Sequence, residues 1–159
     1  MYNKILVPLD GSKLAECALS HVEKLIEDSN AQEIILASVT EQVKARTQAP
    51  EARELYDIAG PEVTITFGKK EGEAQRYLER VAEKFEGKGI KVSTEVLLWP
   101  PAEAIVACAE RSNADIIVMS THGRSGPSRW AYGSVADKVL RSSCVPVLLI
   151  RAPGCVLGV

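Results

Sequence analysis

No apolar run in this chain approaches the roughly 18 to 20 residues that cross a bilayer, so a membrane-spanning helix is not expected. Basic runs are missing too. The 19 Lys and Arg are interspersed with 21 Asp and Glu for a net charge of -2, which leaves no footprint for nucleic acid or an anionic membrane. The four cysteines, Cys17, Cys108, Cys144 and Cys155, form no CxxC pair and have no His at metal-ligand spacing. Buried, inert thiols are the expectation, and Cys155 lies one position too far from the C-terminus for a prenylation box. The opening "MYNKILVPLDGS" lacks the basic start and long apolar middle of a signal peptide, so the expected location is the cytoplasm. Neither a G-x-x-x-x-G-K-[ST] loop nor a G-x-G-x-x-G fingerprint occurs. Without internal repeats or a linker, residues 1–159 read as one domain.

What is present is apolar and ordered in blocks. Hydrophobic residues make up 46%, enough for a proper core. "KILVPLD" (4–10), "EIILASV" (33–39) and "ADIIVMS" (114–120) read as buried strands. Further strands are expected at 90–98 and at "VPVLLI" (145–150). Ser12 can cap a helix whose apolar stripe is Ala15, Ala18, Leu19, Val22, Leu25 and Ile26. A second helix is expected from about Glu73 to Phe85, with Tyr77, Leu78, Val81, Ala82 and Phe85 inward. Pro100 and Pro101 can open a third over "AEAIVACAERS", and a fourth spans 134–142. Residues 40–72 read as an irregular insertion and 151–159 as a loose tail.

Strands alternating with amphipathic helices indicate an α/β fold. Strands apolar throughout indicate a parallel sheet covered on both faces, and right-handed crossovers leave mainly doubly wound topologies. In such sheets ligands bind beyond the carboxyl ends of the strands, where the winding reverses. Two strand ends stand out: "PLDGS" after the first strand, and "MSTHGRSGPSRWAYGSVADKVL" (119–140) after the fourth. The second is long for a connection in a compact domain. Gly123, Gly126 and Gly133, with Arg124 and Arg129, could wrap a phosphate at the start of the following helix. The plainer alternative is that the glycines mark turns and that Ser134 and Asp137 form a capping box. Asp10 could meet an adenine or ribose, or simply close a turn with Gly11. His122 lacks an evident nucleophile or metal partner, and Trp99 and Trp130 are more readily packing residues than base-stacking ones.

"NKILVPLDGS" together with "MSTHGRSGPSRWAYGSVADKVLRSSCVPVLLI" closely resembles the universal stress protein family. The nucleotide-binding branch of that family carries G-x2-G-x9-G-[ST]. Gly123 and Gly133-Ser134 keep the nine-residue spacing, Ser120 stands where the first glycine would be, and Gly126 is an additional glycine. The resemblance implies a five-stranded parallel sheet ordered 3-2-1-4-5, Rossmann-like in outline, with ATP or AMP at the ends of strands one and four. It implies that Asp10 contacts adenine or ribose, with Pro8 and Leu9 beside it and Val39 packed on the adenine. Met119 and Ser120 would border the ribose, and Gly123, Arg124, Ser125, Gly126, Gly133, Ser134 and Val135 would surround the phosphates. It also implies a homodimer through the last strand, Val145 to Ile150.

The expected function is nucleotide-dependent regulation in a stress response. A slow ATPase, with Mg²⁺ held by Asp10 and Ser134, ranks below it, because no base for water is evident. A protein-interaction module without nucleotide is the third alternative, and the nine-residue spacing argues against it.

Overall fold

The computed structural model describes residues 2–40, 70–98, 100–121 and 133–151. The strands are β1 (Lys4–Pro8), β2 (Glu33–Thr40), β3 (Lys91–Leu98), β4 (Ile116–Thr121) and β5 (Val147–Arg151). The helices are α1 (Lys13–Glu16), α2 (Leu19–Ser29), α3 (70–82), α4 (Pro101–Ser112) and α5 (Ser134–Ser142). A 3-10 turn, Glu83–Phe85, extends α3. All strands run parallel in one five-stranded sheet ordered β3-β2-β1-β4-β5, the doubly wound arrangement expected from the sequence. Among the described residues, no helix is long and apolar enough to cross a membrane.

The sheet separates two apolar layers because successive strand residues point to opposite faces. On one face Ile5, Val7, Ile34, Leu36, Ile116 and Val118 pack against α1, α2 and α3 through Ala15, Leu19, Val22, Leu78, Val81 and Phe85. On the other, Leu6, Ile35, Ala37, Ile117 and Met119 pack against α4 and α5 through Ala102, Ile105, Cys108, Ala109, Ala136 and Val139. The central strands β1, β2 and β4 are buried on both faces, as their unbroken apolar runs require. The edge strands β3 and β5 are half-buried instead, since each has a neighbour on one side only.

Several local expectations need correction. The single helix expected after Ser12 is two pieces. The amides of Cys17 and Ala18 donate to the carbonyls of Leu14 and Ala15, a 3-10-type tightening that separates α1 from α2. The cysteines are not uniformly buried: Cys108 is, Cys17 is half-buried, and Cys144 is exposed beside the edge strand β5. Burial and the neighbouring Glu95 carboxylate push the Cys108 thiol up to about 12, so it stays protonated. Of the segment 40–72, Thr40 ends β2 and residues 70–72 open α3, the rest lying outside the described residues with Trp99 and Cys155.

Helices α2 and α4 end on the same triplet, Ser29-Asn30-Ala31 and Ser112-Asn113-Ala114. In each, the serine hydroxyl donates back to a carbonyl one turn earlier, that of Leu25 or Cys108. The asparagine is left-handed, φ 54° at Asn30 and 53° at Asn113, the conformation that stops a helix. The alanine is buried, and the chain turns directly into the next strand. Because an alanine in this conformation is strained by about 1 kcal/mol, Asn113→Ala is expected to lower the urea midpoint by that equivalent with an unchanged slope. Asn113→Gly should match or exceed the wild type.

The amino ends of the strands are tied by charge. Glu33 of β2 pairs with Lys4 of β1 and Lys91 of β3, both at 3.1 Å. Lys91 and then Lys4 hold the Glu33 carboxyl below its usual range against the opposing effect of burial. A lowered folded-state pKa adds stability above the unfolded value near 4.5, and that stability disappears as pH falls through the lowered value. Glu33→Gln should therefore be less stable than wild type at neutral pH, with the two curves converging as pH falls through the lowered Glu33 value.

Candidate functional site

Strand β1 pairs with β4 only at Ile5↔Ile116 and Leu6↔Ile117. At the amino end the joint is reinforced: Asp115 Oδ2 accepts from the amides of Asn3 and Lys4, both at 2.8 Å, and the Asp115 amide donates to the Lys4 carbonyl at 2.9 Å. Lys4 Nζ donates to the Ser112 carbonyl at 3.0 Å. Past Leu6 the strands part company. β1 follows β2, with Pro8 opposite Ala37 and the Leu9 amide donating to the Ala37 carbonyl at 2.7 Å. β4 follows β5 as far as Thr121 opposite Arg151. Pro8 has no amide hydrogen with which to extend a ladder. The sheet is thus closed at its amino edge and split at its carboxyl edge, where the winding reverses. That is the position at which doubly wound sheets place ligands.

Several expected residues meet at this split. Pro8 is buried at the end of β1. The side chains of Leu9 and Met119 belong to the two cores, on opposite faces, so these residues offer backbone rather than side chain to the cleft. Ser120, half-buried, follows Met119 on β4, and Val39, half-buried, lies on the α4 side near the end of β2. Asp10 is exposed and accepts from the Ser12 amide through Oδ1 at 2.9 Å. Gly11 between them has φ +83°, a backbone that side-chain-bearing residues rarely adopt. Ser12 in turn caps α1, accepting from the Ala15 amide at 3.0 Å. The turn reading of Asp10 therefore holds.

At the other side, the connection from β4 to α5 occupies residues 122–133, because Thr121 belongs to the strand and Ser134 to the helix. The Ser134–Asp137 capping box of the plainer alternative does not form. Gly133 is the N-cap and makes no side-chain cap, the Asp137 amide donates to the Gly133 carbonyl at 2.9 Å, and the Asp137 carboxylate accepts from Arg141 Nε at 2.9 Å. An N-terminus without a side-chain cap keeps backbone N–H groups and its partial positive charge available to an anion. Ser134 is exposed and Val135 half-buried. His122, Gly123, Arg124, Ser125, Gly126, Arg129 and Trp130 lie outside the described residues. Among the described residues, no three His, Cys, Asp or Glu converge as a metal cluster would require.

A contact the sequence did not suggest adjoins the turn: Tyr77 Oη of α3 donates to Glu16 Oε1 at 3.3 Å, and Lys84 Nζ donates to Glu16 Oε2 at 2.8 Å. Only tertiary packing brings these residues together, so no local signal could have shown them.

Comparison with known proteins agrees with this fold. The family model described as the universal stress protein family matches residues 1–151. The chain is 32% identical over 157 residues to universal stress protein MJ0577 of Methanocaldococcus jannaschii, covering 95% of this chain and 96% of that protein. The solved structure of MJ0577 superposes with a TM-score of 0.74 at 33% identity, over 95% of this chain and 96% of the other. Two more distant solved structures share the fold. One is a universal stress protein in complex with cAMP (TM-score 0.63, 22% identity, 95% and 98% coverage). The other is an Arabidopsis thaliana family member with AMP bound (TM-score 0.62, 16% identity, 96% and 93% coverage). The chain belongs to the universal stress protein family.

Asp10→Ala removes the acceptor for the Ser12 amide and should cost about 0.5 to 1 kcal/mol in chemical denaturation, whereas Asp10→Asn, which keeps a side-chain oxygen, should cost less than half of that.

Proposed function

We propose that this member of the universal stress protein family binds an adenine nucleotide, ATP or AMP, at the split between β1 and β4, and that occupancy regulates a response to stress. The observation that carries the reading is the pairing of an open switch point with a helix start that lacks a side-chain cap. A base or ribose would meet the Asp10 turn and the backbone at Pro8, Leu9, Met119 and Ser120, with Val39 beside it. Phosphates would meet the backbone of Gly133, Ser134 and Val135, with Gly123, Arg124, Ser125 and Gly126 completing the loop that precedes them. The bound cAMP and AMP of the two distant relatives belong to those proteins and support the ligand class, an adenine nucleotide with at least one phosphate. A regulatory role follows if one conformation of the chain prefers the nucleotide.

Hydrolysis would ask more of the site. Mg²⁺, if bound with ATP, would neutralise charge on its phosphates. Asp10 and Ser134 are both exposed, and their oxygens suit so hard a cation. A homodimer through β5 and a cytoplasmic setting complete the reading. The half-buried edge residues Val147, Leu148 and Leu149 support the dimer, since an open parallel edge invites a partner strand.

The test is to denature the purified protein, identify any released nucleotide, and titrate ATP and AMP into the stripped chain. Binding is expected near 1 µM, about -8 kcal/mol. Gly133 has φ -53°, which any residue adopts, so Gly133→Leu should fold normally. It should weaken nucleotide binding by more than about tenfold by obstructing backbone approach. Unaltered affinity in Gly133→Leu, or a wild-type chain that takes up neither nucleotide, would remove the reading.

A further inference from the structure

The turn at the carboxyl end of β1 is attached to an unusually weak piece of helix. α1 is one turn long, Lys13–Glu16, and a single turn does not sustain itself in water. It is separated from α2 at Cys17 and Ala18. Its first turn is bonded through Ser12 to Asp10. Whatever fixes α1 therefore fixes the Asp10–Gly11–Ser12 turn.

The far end of α1 is held from another part of the chain. Glu16 presents one carboxylate oxygen to Tyr77 Oη at 3.3 Å and the other to Lys84 Nζ at 2.8 Å. The negative charge of Asp10 acts on the same phenol as well. Desolvation, then the negative charge of Glu16, raises the Tyr77 pKa far above the usual phenol range, which keeps the donated proton in place. Lys84 and, more weakly, Arg80 hold the Glu16 carboxyl in its charged form. Packing alone does not explain a hydroxyl here. Leu78, Val81 and Phe85 fill the core from the same segment without one.

We infer that Tyr77 and Lys84 are positioning residues for the nucleotide site, acting through Glu16 to fix the Asp10–Gly11–Ser12 turn at the mouth of the β1–β4 split. The inference rests on the adenine-nucleotide reading above and adds to it the part of the protein that sets the turn. It makes α3 and its 3-10 extension a control element for affinity.

Calorimetric titration of ATP into the wild type, Tyr77→Phe, Glu16→Gln and the double variant tests this, with thermal melting of the same samples. At a temperature where every sample is folded, each single change is expected to weaken ATP binding about three- to tenfold. The double variant should bind no more weakly than the weaker single one, because both changes break one connection. Lys84→Met should weaken binding similarly and Lys84→Arg should restore it. Lowered melting temperatures with equal affinities would overturn the inference and leave the nucleotide reading standing. Additive losses would overturn the route through Glu16. A wild-type chain that binds neither ATP nor AMP would remove both the reading and this inference with it.

Discussion

The joint between β1 and β4 is the constraint on which the rest depends. These strands are far apart in sequence, and each is the first of a run that winds away from the other. Two ladder pairs and the Asp115 carboxylate hold them at the amino end. Residue pairing stops after Leu6 and Ile117, and each strand then follows its outer neighbour. A sheet fully zipped along this seam would have no split, and the Asp10 turn and the α5 start would border a closed edge.

The two apolar layers make that split possible. Leu9 and Met119 bury their side chains on opposite faces, so the backbone beside the cleft is anchored where the ladder no longer holds it. Stability at the rim comes from side-chain burial and from the Asp10 and Ser12 turn bonds. The amino edge shows the reverse allocation, with Lys4, Glu33, Lys91 and Asp115 pairing among themselves and with backbone. Such partly exposed ion pairs individually contribute little, but they register three neighbouring strands at one end.

Much of this was legible in the sequence, for reasons that differ by element. The unbroken apolar runs of β1, β2 and β4 can only be central parallel strands. Pro100 and Pro101 open α4 because proline suits a helix start, and Ser12 caps α1 because its hydroxyl reaches a free amide. What was hidden depends on distance or on competition between partners. Ser134 and Asp137 have the spacing of a capping box, but Gly133 takes the cap position and Arg141 takes the carboxylate. Asp115 reads as part of the strand expected over 114–120, and its tie to the Asn3 and Lys4 amides emerges only when β1 lies beside it. The Glu16 contacts span 61 and 68 residues, far beyond any local pattern. The repeated Ser-Asn-Ala helix ends were readable, since asparagine is a common left-handed stop, but only once the repetition is noticed.

The central claim is that the split between β1 and β4 is where an adenine nucleotide sits. Amide chemical shifts of ¹⁵N-labelled protein, followed while ATP is added, test it residue by residue. The account predicts the largest changes at Gly11, Ser120, Ser134 and Val135, with Asn3, Lys4 and Asp115 at the closed end unmoved. Changes clustered at the closed end or along β3, with the four cleft amides still, would contradict it.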